Sequence, residues 1–419
     1  MPTRQIIIAD DLTGALDGAA TWGAHAQVSV LLDSTALSSA SAEVVALDTD
    51  TRHRTPEAAA ALVTENTARA LHLGVPIYKK IDSILRGNTT VEIAAAFRTM
   101  AREGSNASAM IAPAFPATGR TVVDGVVRVD GQPLANDKGN LCRRLMAADL
   151  RVALIDLETV RSGATAIKVA YEAHIRDGAE AIVVDAETEA DLDSIHDTLN
   201  ALAPPVLPVG SAGLLRVAAR RAASDNAAPH STDRRVGGHT LIVLGSYSEH
   251  ARAQRARLQA SRIPLVALRA PFGDGEQQAA ARELSRRLAD GDALLCPDPA
   301  TPVERSHAAA VAAALAATAG RVLAGRAPGR PTGLIMAGGE TARAVLTAVG
   351  VDRLTVQGEI EPGVVQSNAD RLGGLTIVTK AGAFGDADTL ERARRALMGP
   401  TGHKSSADDA SRARCSCKE

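Results

Sequence analysis

Short apolar runs alternate with Ala-rich amphipathic stretches along most of the chain. The first run, residues 6–9, is uninterrupted, which is typical of a strand buried on both faces of a parallel sheet. Similar runs predict strands at 28–32, 44–47, from 75 onward, 109–112, 152–155, 181–184, 206–209, from 240 onward, 264–268, 293–296, 333–337 and 375–379. Helical spacing predicts helices at about 15–24, 56–71, from 89 onward, 164–176, 190–202 and 387–398. The alternation predicts an α/β fold of two doubly wound domains with a cleft between them.

A change of composition near residue 223 divides the chain. Residues 223–238 are polar, contain Pro and Gly and lack a hydrophobic pattern, which is typical of an interdomain linker. We therefore expect one domain over residues 1–222 and a second over 239–400. The polar tail, 401–419, is expected to be disordered.

Two adjacent carboxylates, Asp10 and Asp11, follow the first strand, and the chain turns into a helix after Gly14. In open α/β sheets, ligands bind at the edge where the strands end. Two neighbouring charges at this edge need a ligand, a cation or water to compensate them. The alternative is that one of them only caps the helix, a common role for Asp at this position.

A second charged turn follows the strand that begins near residue 75. Its charged residues and glycine are Lys79, Lys80, Asp82, Arg86 and Gly87. Thr89 and Glu92 then have the spacing of a capping box, which predicts a well-defined helix start. Cations beside a helix N-terminus form an anion site, so this turn is a candidate ligand site, with an ion-paired strand edge as the alternative.

Further polar residues are predicted at the same edge. The run DTDTR, residues 48–52, follows the third strand. Arg120 lies in a loop stiffened by Pro113 and Pro116, before a hairpin whose turn is Asp124–Gly125. A single Arg in such a loop is usually exposed, but its position near a strand end makes it a candidate for the site.

Three Gly-rich turns follow strands in the second half. They contain Gly245 and Ser246, then Gly338, Gly339, Glu340 and Thr341, and finally Gly382, Ala383, Phe384 and Gly385 with Asp386. Exposed backbone next to a helix start suits phosphate binding, so the three turns together predict a nucleotide-phosphate site. The chain has neither a P-loop nor a dinucleotide fingerprint. Gly358, Pro362 and Gly363 predict an irregular loop beside the same site.

Composition narrows the function classes. The formal charge is −2 and aromatic residues make up 2%, which argues against a nucleic-acid or membrane-surface partner. The cysteines, Cys142, Cys296, Cys415 and Cys417, have neither metal-ligand spacing nor a disulfide pattern, which favours a reducing cytoplasm. No apolar run approaches the ~20 residues of a membrane span, and no secretion signal is recognisable.

Charged groups in one half and phosphate-binding turns in the other suit a reaction between two separately bound substrates. Closure of two domains would exclude water and prevent hydrolysis of the donor. Phosphoryl transfer from ATP is the simplest such chemistry, with Mg²⁺ bridging the phosphates through few protein ligands. The sequence identifies no metal-binding residues and is compatible with a monomer or a homo-oligomer.

Six segments, in this order, resemble the signatures of the four-carbon acid sugar kinases. They are ADDLTGALD (9–17), KKIDSILRGN (79–88), APAFPATGRTVVDG (112–125), GSAGL (210–214), GGETA (338–342) and KAGAFGD (380–386). The resemblance implies an N-terminal domain that binds an acid sugar and a C-terminal domain that binds nucleotide. It implies ATP-dependent phosphorylation of the terminal hydroxyl of tetronates, 3-oxo-tetronates or related branched sugar acids, in carbohydrate catabolism.

The resemblance also implies site residues. Those expected to line the acid-sugar site are Asp10, Asp11, Lys80, Asp82, Arg86, Gly87 and Arg120. Those expected to hold ATP are Ser246, Gly338, Gly339, Glu340, Thr341, Gly358, Gly363, Gly382, Ala383, Phe384 and Gly385. EHARAQ (249–254) and LANDKGNLCRRL (134–145) depart from the family pattern. The second departure leaves the identity of the substrate open.

By residue chemistry, Arg86 and Lys80 suit the substrate carboxylate, and Asp10 or Asp11 suits orienting or deprotonating the attacking hydroxyl. An Asp after a first buried strand also resembles the nucleophile of aspartyl-phosphate phosphatases. That alternative gives no role to the glycine turns. A non-catalytic sugar-acid sensor is a further alternative.

Overall fold

A computed structural model describes residues 3–103, 107–203, 205–223, 237–300, 307–325, 329–382 and 384–398. Of the predicted linker, only residues 223, 237 and 238 fall within these ranges. The predicted tail, 401–419, lies outside them.

The predicted strand and helix alternation is confirmed over these residues. The strands are β1 Gln5–Ala9, β2 Val28–Leu31, β3 Val44–Asp48, β4 Ile77–Lys80, β5 Ser108–Ala112, β6 Arg120–Val123, β7 Val126–Val129, β8 Gln132–Pro133, β9 Val152–Ile155, β10 Ala181–Val184, β11 Val206–Gly210, β12 Thr240–Leu244, β13 Leu265–Leu268, β14 Ala293–Pro297, β15 Gly333–Ala337, β16 Arg353–Glu361, β17 Val364–Ala369 and β18 Leu375–Lys380. The helices are α1 Leu12–Ala20, α2 Pro56–His72, α3 Thr89–Glu103, α4 Leu141–Met146, α5 Leu157–Arg161, α6 Ala164–Arg176, α7 Glu189–Ala201, α8 Ala212–Ala223, α9 Glu249–Ala260, α10 Asp274–Asp290, α11 Ala308–Leu323, α12 Gly339–Ala348 and α13 Thr389–Met398. The fold is of the predicted α/β class.

Among the described residues, fifteen strands form one continuous sheet that runs through both halves of the chain. Its order is β13-β14-β12-β15-β18-β17-β16-β2-β3-β1-β4-β11-β5-β10-β9. In this spatial order, the strands β2-β3-β1-β4-β11-β5-β10-β9 pair in parallel, and so do β13-β14-β12-β15-β18. Helices connect most of these strands. Antiparallel pairing of β16 with β2 joins the two halves, with Leu354 opposite Val30. The two halves are therefore joined by main-chain hydrogen bonds between these strands.

The prediction of an irregular loop around Gly358, Pro362 and Gly363 is wrong. These residues belong to a long antiparallel hairpin of β16 and β17, with Pro362 and Gly363 in its turn. Gly358 lies within β16, at a register shift of the ladder. The segment QGEIE is polar, so it lacks the apolar run that identified the other strands.

The Asp124–Gly125 hairpin turn is confirmed between β6 and β7. Both residues have positive φ, as a two-residue hairpin turn requires. β6, β7 and β8 form a separate three-stranded sheet that places Arg120 beside the ends of the N-terminal strands. No helix among the described residues has the length and apolar character needed to cross a bilayer.

The capping box predicted for Thr89 and Glu92 is wrong as well. The Thr89 hydroxyl donates to the carbonyl of Arg86 at 2.9 Å and does not accept from the Glu92 amide, which bonds to the carbonyl of Asn88. The Glu92 carboxylate instead faces Lys79, whose Nζ lies 2.8 Å from Oε2. Both side chains are 0% exposed, so Glu92 supplies the countercharge that a fully buried lysine requires.

Removing one partner of this pair should destabilise the N-terminal half. We expect Lys79→Met or Glu92→Leu to lower its free energy of unfolding by about 3–5 kcal/mol, because the remaining charge is buried alone. The double variant should recover most of the loss, since apolar residues of similar volume can replace a buried pair. The fluorescence of Trp22, the single tryptophan of the chain, reports urea unfolding of this half. A double variant as unstable as the single ones would contradict the explanation.

Candidate active site

Three adjacent parallel strands bring charged residues to one edge of the sheet. β1 lies between β3 and β4, and the residues after these strands carry Asp10 and Asp11, Arg52, and Asp82 with Arg86. Because the carboxyl ends of parallel strands meet at the same edge, side chains from separate parts of the sequence come into contact.

Arg52 is the centre of this cluster. Its Nε donates to Asp10 Oδ2 at 2.7 Å and its Nη2 to Asp10 Oδ1 at 2.9 Å, while Nη1 bonds to Asp11. Nη2 also lies 3.6 Å from Asp82 Oδ2. The side chain is only 9% exposed, so one buried guanidinium compensates three carboxylates. Burial raises the pKa of Asp82, but hydrogen bonds from Arg86 and the charge of Arg52 outweigh it and hold that pKa below its ordinary value.

Asp11 caps α1, so the alternative prediction that one of the two acids is a helix cap is confirmed. Its Oδ1 accepts from the Gly14 amide at 2.7 Å, and its Oδ2 accepts from the Thr13 hydroxyl at 2.8 Å. Burial raises the pKa of Asp11, opposed by Arg52. Capping fixes the carboxylate at the edge of the sheet, where it also lines two pockets.

These pockets adjoin each other. The inner pocket, of about 70 Å³, lies mainly in the N-terminal half, and the outer pocket, of about 450 Å³, lies between the halves. Inner-pocket residues include Asp17, Lys80, Asp82, Ser83, Arg120 and Ser211. Outer-pocket residues include His53, Gly245, Ser246, Tyr247, Ser248, Gly338, Gly339, Glu340, Thr341, Arg343 and Gly382. Both pockets are lined by Asp11, Thr13, Arg52, Arg86, Ala381 and Phe384.

The three predicted glycine turns converge on the outer pocket. A Cβ added at Gly245 would overlap with Thr341. One added at Gly382 would lie 2.7 Å from Ser246 Oγ, and one at Gly339 would lie 3.2 Å from Thr13 Oγ1. The glycines therefore permit close packing of the turns on one another and on α1.

Two buried side chains donate hydrogen bonds to the backbone of the third glycine turn. Lys380 Nζ donates to the carbonyls of Ala381 at 2.8 Å and Phe384 at 2.7 Å. Gln254 Nε2 donates to the carbonyls of Phe384 at 3.2 Å and Asp386 at 2.7 Å. Burial lowers the pKa of Lys380 to about 8. These bonds satisfy carbonyl oxygens of the turn and thereby fix its conformation.

The first turn of α12 faces the same pocket. Gly338 precedes this helix with φ of 109°, and no side chain caps it. Its free N–H groups and the positive end of the helix favour an anion. The N-terminus of α9 also borders the pocket through Ser248, whose Oγ accepts from the Ala251 amide and donates to Gly382.

Contacts between the halves surround the two pockets. Arg343 of α12 pairs with the buried Asp48 at the end of β3. The guanidinium of Arg120 lies 5.2 Å from the ring centroid of Phe384. His53 lies 3.0 Å from Glu340 across the outer pocket. The halves are thus in contact on more than one side of the site.

The structure brings most of the predicted site residues together, and their roles stay predictions. Asp11, Lys80, Asp82, Arg86 and Arg120 line the inner pocket. Ser246, Gly338, Gly339, Glu340, Thr341 and Gly382 line the outer pocket, and Phe384 lines both. Ala383 lies outside the described residues.

Five predicted residues are placed differently. Asp10 lies behind Arg52 and lines neither pocket, whereas Gly363, predicted for ATP, lines the inner one. Gly87 packs on Arg52, whose carbonyl oxygen would be 3.0 Å from an added Cβ. Gly358 packs on Gly23, and Gly385 packs on Thr389. These three glycines serve packing or turn conformation and do not line the pockets.

Sequence reasoning did not select Arg52, Asp17 or Arg343 as site residues. For Arg52 a signal existed, because the polar run 48–52 after the third strand was recognised. Its importance depends on β1 lying between β3 and β4, which the sequence did not establish. Asp17 lies within the ADDLTGALD motif, and Arg343 follows GGETA directly.

Comparison with known proteins gives matches over nearly the whole chain. The family model described as the sugar-binding N-terminal domain matches residues 5–218, and the one described as the nucleotide-binding C-terminal domain matches residues 241–390. The chain is 36% identical to a D-threonate kinase of Cupriavidus necator, over 94% of the chain and 97% of the relative. It is 30% identical to a 3-oxo-tetronate kinase of Methylobacterium radiotolerans, over 92% and 97%.

Two solved structures share the fold. A Salmonella typhimurium LT2 protein has a TM-score of 0.76 at 23% identity, covering 94% of this chain and 99% of that one. A Haemophilus influenzae protein has a TM-score of 0.68 at 21% identity, covering 93% and 98%.

The packing at Gly245 provides a test of the outer pocket as the nucleotide site. We expect Gly245→Ala to raise the dissociation constant for ADP at least about tenfold, because the added methyl group displaces Thr341 and the start of α12. Isothermal titration calorimetry measures the change. Gly275→Ala is the matched control, since its Cβ enters open space on α10 of the same half. Equal ADP affinity in the two variants would contradict the assignment.

Proposed function

Since this chain belongs to the family of four-carbon acid sugar kinases, we propose that it transfers the γ-phosphoryl group of ATP to the terminal hydroxyl of a tetronate, a 3-oxo-tetronate or a closely related branched sugar acid. The enzyme class, a sugar-acid phosphotransferase, follows from the kinases to which the chain is similar. We also propose domain boundaries at 1–222 and 239–400, a cytoplasmic location and a role in carbohydrate catabolism.

The observation that carries the proposal is the lining shared by the two pockets. In phosphoryl transfer, the attacking oxygen must lie close to the transferred phosphorus and roughly in line with the leaving oxygen on its other side. Asp11, Arg52 and Arg86 stand where the inner pocket meets the outer one. An acid in the inner pocket and a triphosphate in the outer one would meet at these side chains.

The inner pocket suits a small hydroxy acid. Lys80, Arg86 and Arg120 supply the positive charge that a carboxylate requires, and Arg can bind it through two parallel hydrogen bonds. Lys80 and Arg120 line only the inner pocket, whereas Arg86 reaches both. We propose that Lys80 and Arg120 bind the substrate carboxylate. Arg86, which reaches both pockets, would stabilise the transferred phosphoryl group.

The outer pocket suits the phosphates of ATP. Its glycine turns and the start of α12 present backbone N–H groups. No group of three or more metal-ligating side chains occurs within the described part of the chain. Mg²⁺ bound to a nucleotide needs only one or two protein carboxylates, and Asp11 and Glu340 line this pocket. Bound there, Mg²⁺ would neutralise phosphate charge.

Of the two candidate acids, we assign the hydroxyl-orienting role to Asp11. It lines both pockets, where the attacking oxygen would lie. Both oxygens of Asp10 are bonded to Arg52, which gives it the role of positioning that guanidinium. The same bonds argue against a phosphatase with Asp10 as nucleophile, because the attacking oxygen would have to leave its ion pair.

An ADP-release screen tests the proposed function. With Mg·ATP and D- or L-threonate, D- or L-erythronate, their 3-oxo forms or branched analogues, we expect ADP formation that depends on the acid. Mass spectrometry should identify the corresponding phosphorylated acid. Failure of every acid to stimulate ADP release would contradict the proposal, as would hydrolysis of phosphorylated acids without nucleotide.

Substitution of the two acids separates their roles. Asp11→Asn should lower kcat by about 10²–10⁴-fold with little change in the KM for ATP, because asparagine keeps the helix cap but accepts a proton poorly. Asp10→Asn should lower kcat less and raise the KM for the acid by loosening Arg52. Asp33→Asn is the control, because the exposed Asp33 of the same half likewise accepts a hydrogen bond from a main-chain amide, that of Thr35. Near-wild-type kcat in Asp11→Asn would refute its assignment.

A further inference from the structure

Asp17 is a carboxylate that the roles proposed above leave unexplained. It lies on α1 and lines the inner pocket. Its Oδ1 is inaccessible to solvent, and no described residue donates a hydrogen bond to it. By contrast, Asp11 and Asp82 in the same pocket each accept several hydrogen bonds.

The surroundings of Asp17 compensate its charge without hydrogen bonding to it. Burial raises the pKa of Asp17, and the positive charges of Lys80 and Arg216 oppose that rise. Lys80 Nζ donates to the carbonyl of Ile81, and Arg216 donates to Glu359 at 2.6 Å. A buried acceptor without a donor is unfavourable, and in native proteins it calls for an explanation such as a functional role or a bound water.

An unpaired donor lies in the same pocket. Arg120 Nε is buried, and no described residue accepts from it. The charge of Arg120 also acts on Asp17. Asp17 and Arg120 both line the inner pocket, and the second oxygen of Asp17, Oδ2, is not enclosed in this way and accepts no hydrogen bond from a described residue, so it is the acceptor that a ligand can reach. A carboxylate ligand could pair with Arg120 but would be repelled by Asp17. A hydroxyl group suits either residue, because it both donates and accepts.

We propose that Asp17 accepts a hydrogen bond from a hydroxyl on an internal carbon of the sugar acid and thereby selects hydroxylated acids over their deoxy analogues. The proposal rests on the proposed function, since it assumes a sugar acid in the inner pocket. The carboxylate lies toward Lys80 and Arg120, and the internal hydroxyl toward Asp17. Sites that bind a substrate hydroxyl discriminate strongly against analogues lacking it, because their polar groups are then left unpaired.

The competing explanation is that Asp17 only balances the charge of Lys80 and Arg216. Arg216 already pairs with Glu359 of β16. On this explanation, Asp17 would be a second countercharge for Arg216, with a purely structural role. The two explanations differ in their consequences. A structural carboxylate affects all acids alike when it is replaced, whereas a hydroxyl-binding carboxylate affects only acids that carry the hydroxyl.

The experiment compares the tetronate that the wild-type enzyme phosphorylates fastest with its 2-deoxy and 3-deoxy analogues, both of which keep the terminal hydroxyl. We expect the wild-type kcat/KM for at least one analogue to be about 100-fold or more below that for the tetronate. Asp17→Ala should lower kcat/KM for the tetronate by a similar factor, and for that analogue by less than about threefold. The KM for ATP should not change.

Two further variants strengthen the comparison. Asp17→Asn retains an acceptor oxygen and should recover part of the discrimination. Asp193→Asn makes the same substitution on α7, where Asp193 pairs with Arg220 outside both pockets, and should behave as wild type. An equal loss on all three acids in Asp17→Ala, or an unchanged ratio, would overturn the proposal.

Failure of the proposed function gives a different result. If the wild-type enzyme phosphorylated no tetronate, that function would be refuted, and calorimetric titration of the same acids without nucleotide would decide the role of Asp17. Weaker binding of a deoxy acid by the wild-type protein, with the difference lost in Asp17→Ala, would support the hydroxyl contact. Equal affinities in both proteins would overturn it.

Discussion

The site depends on one buried guanidinium held between three carboxylates. Without Arg52, the carboxylates of Asp10, Asp11 and Asp82 would repel one another at the ends of adjacent strands. With it, they are drawn into a single cluster in which Asp10 binds Arg52 through two hydrogen bonds and Asp11 stays at the border of the two pockets. Gly87 allows the turn after β4 to pack on the backbone of Arg52. Electrostatics and packing therefore fix the same three turns.

The second constraint is the orientation of the two halves of the sheet. Following the pairings from β2 through β16 and β17 to β18, the C-terminal parallel strands run opposite to the N-terminal ones. In a flat sheet their carboxyl ends would lie at opposite edges. Twist of about 20–25° per strand accumulates over the six steps from β15 to β1, which turns the two sets of ends toward each other. The hairpin of β16 and β17 thus helps to create the cleft.

The sequence predicted the elements well where the pattern is local. Parallel strands buried on both faces appear as apolar runs, and the glycine turns follow them directly. The sequence-based prediction failed where contacts between distant parts of the chain decide the structure. Glu92 has the spacing of a capping box, but the buried Lys79 on a neighbouring strand takes its carboxylate. Gly358 stands in a polar stretch that pairs as a strand only because β2 and β17 lie on either side. Arg52 gains its importance from strand order, which apolar runs do not encode.

The polar groups that line the two pockets give them different preferences. The inner pocket combines cations with carboxylates, among them Asp17 and Asp82, so it suits a ligand with one negative charge and several hydroxyl groups. The outer pocket presents backbone N–H groups and a helix N-terminus, and its carboxylate Glu340 faces His53. The two pockets have similar numbers of charged side chains, so what favours phosphates in the outer pocket is its backbone N–H groups and its larger volume, about 450 Å³ against about 70 Å³. Under the proposed function, this difference would direct the phosphates to the outer pocket and leave the acid in the inner one, with transfer at their border beside Asp11.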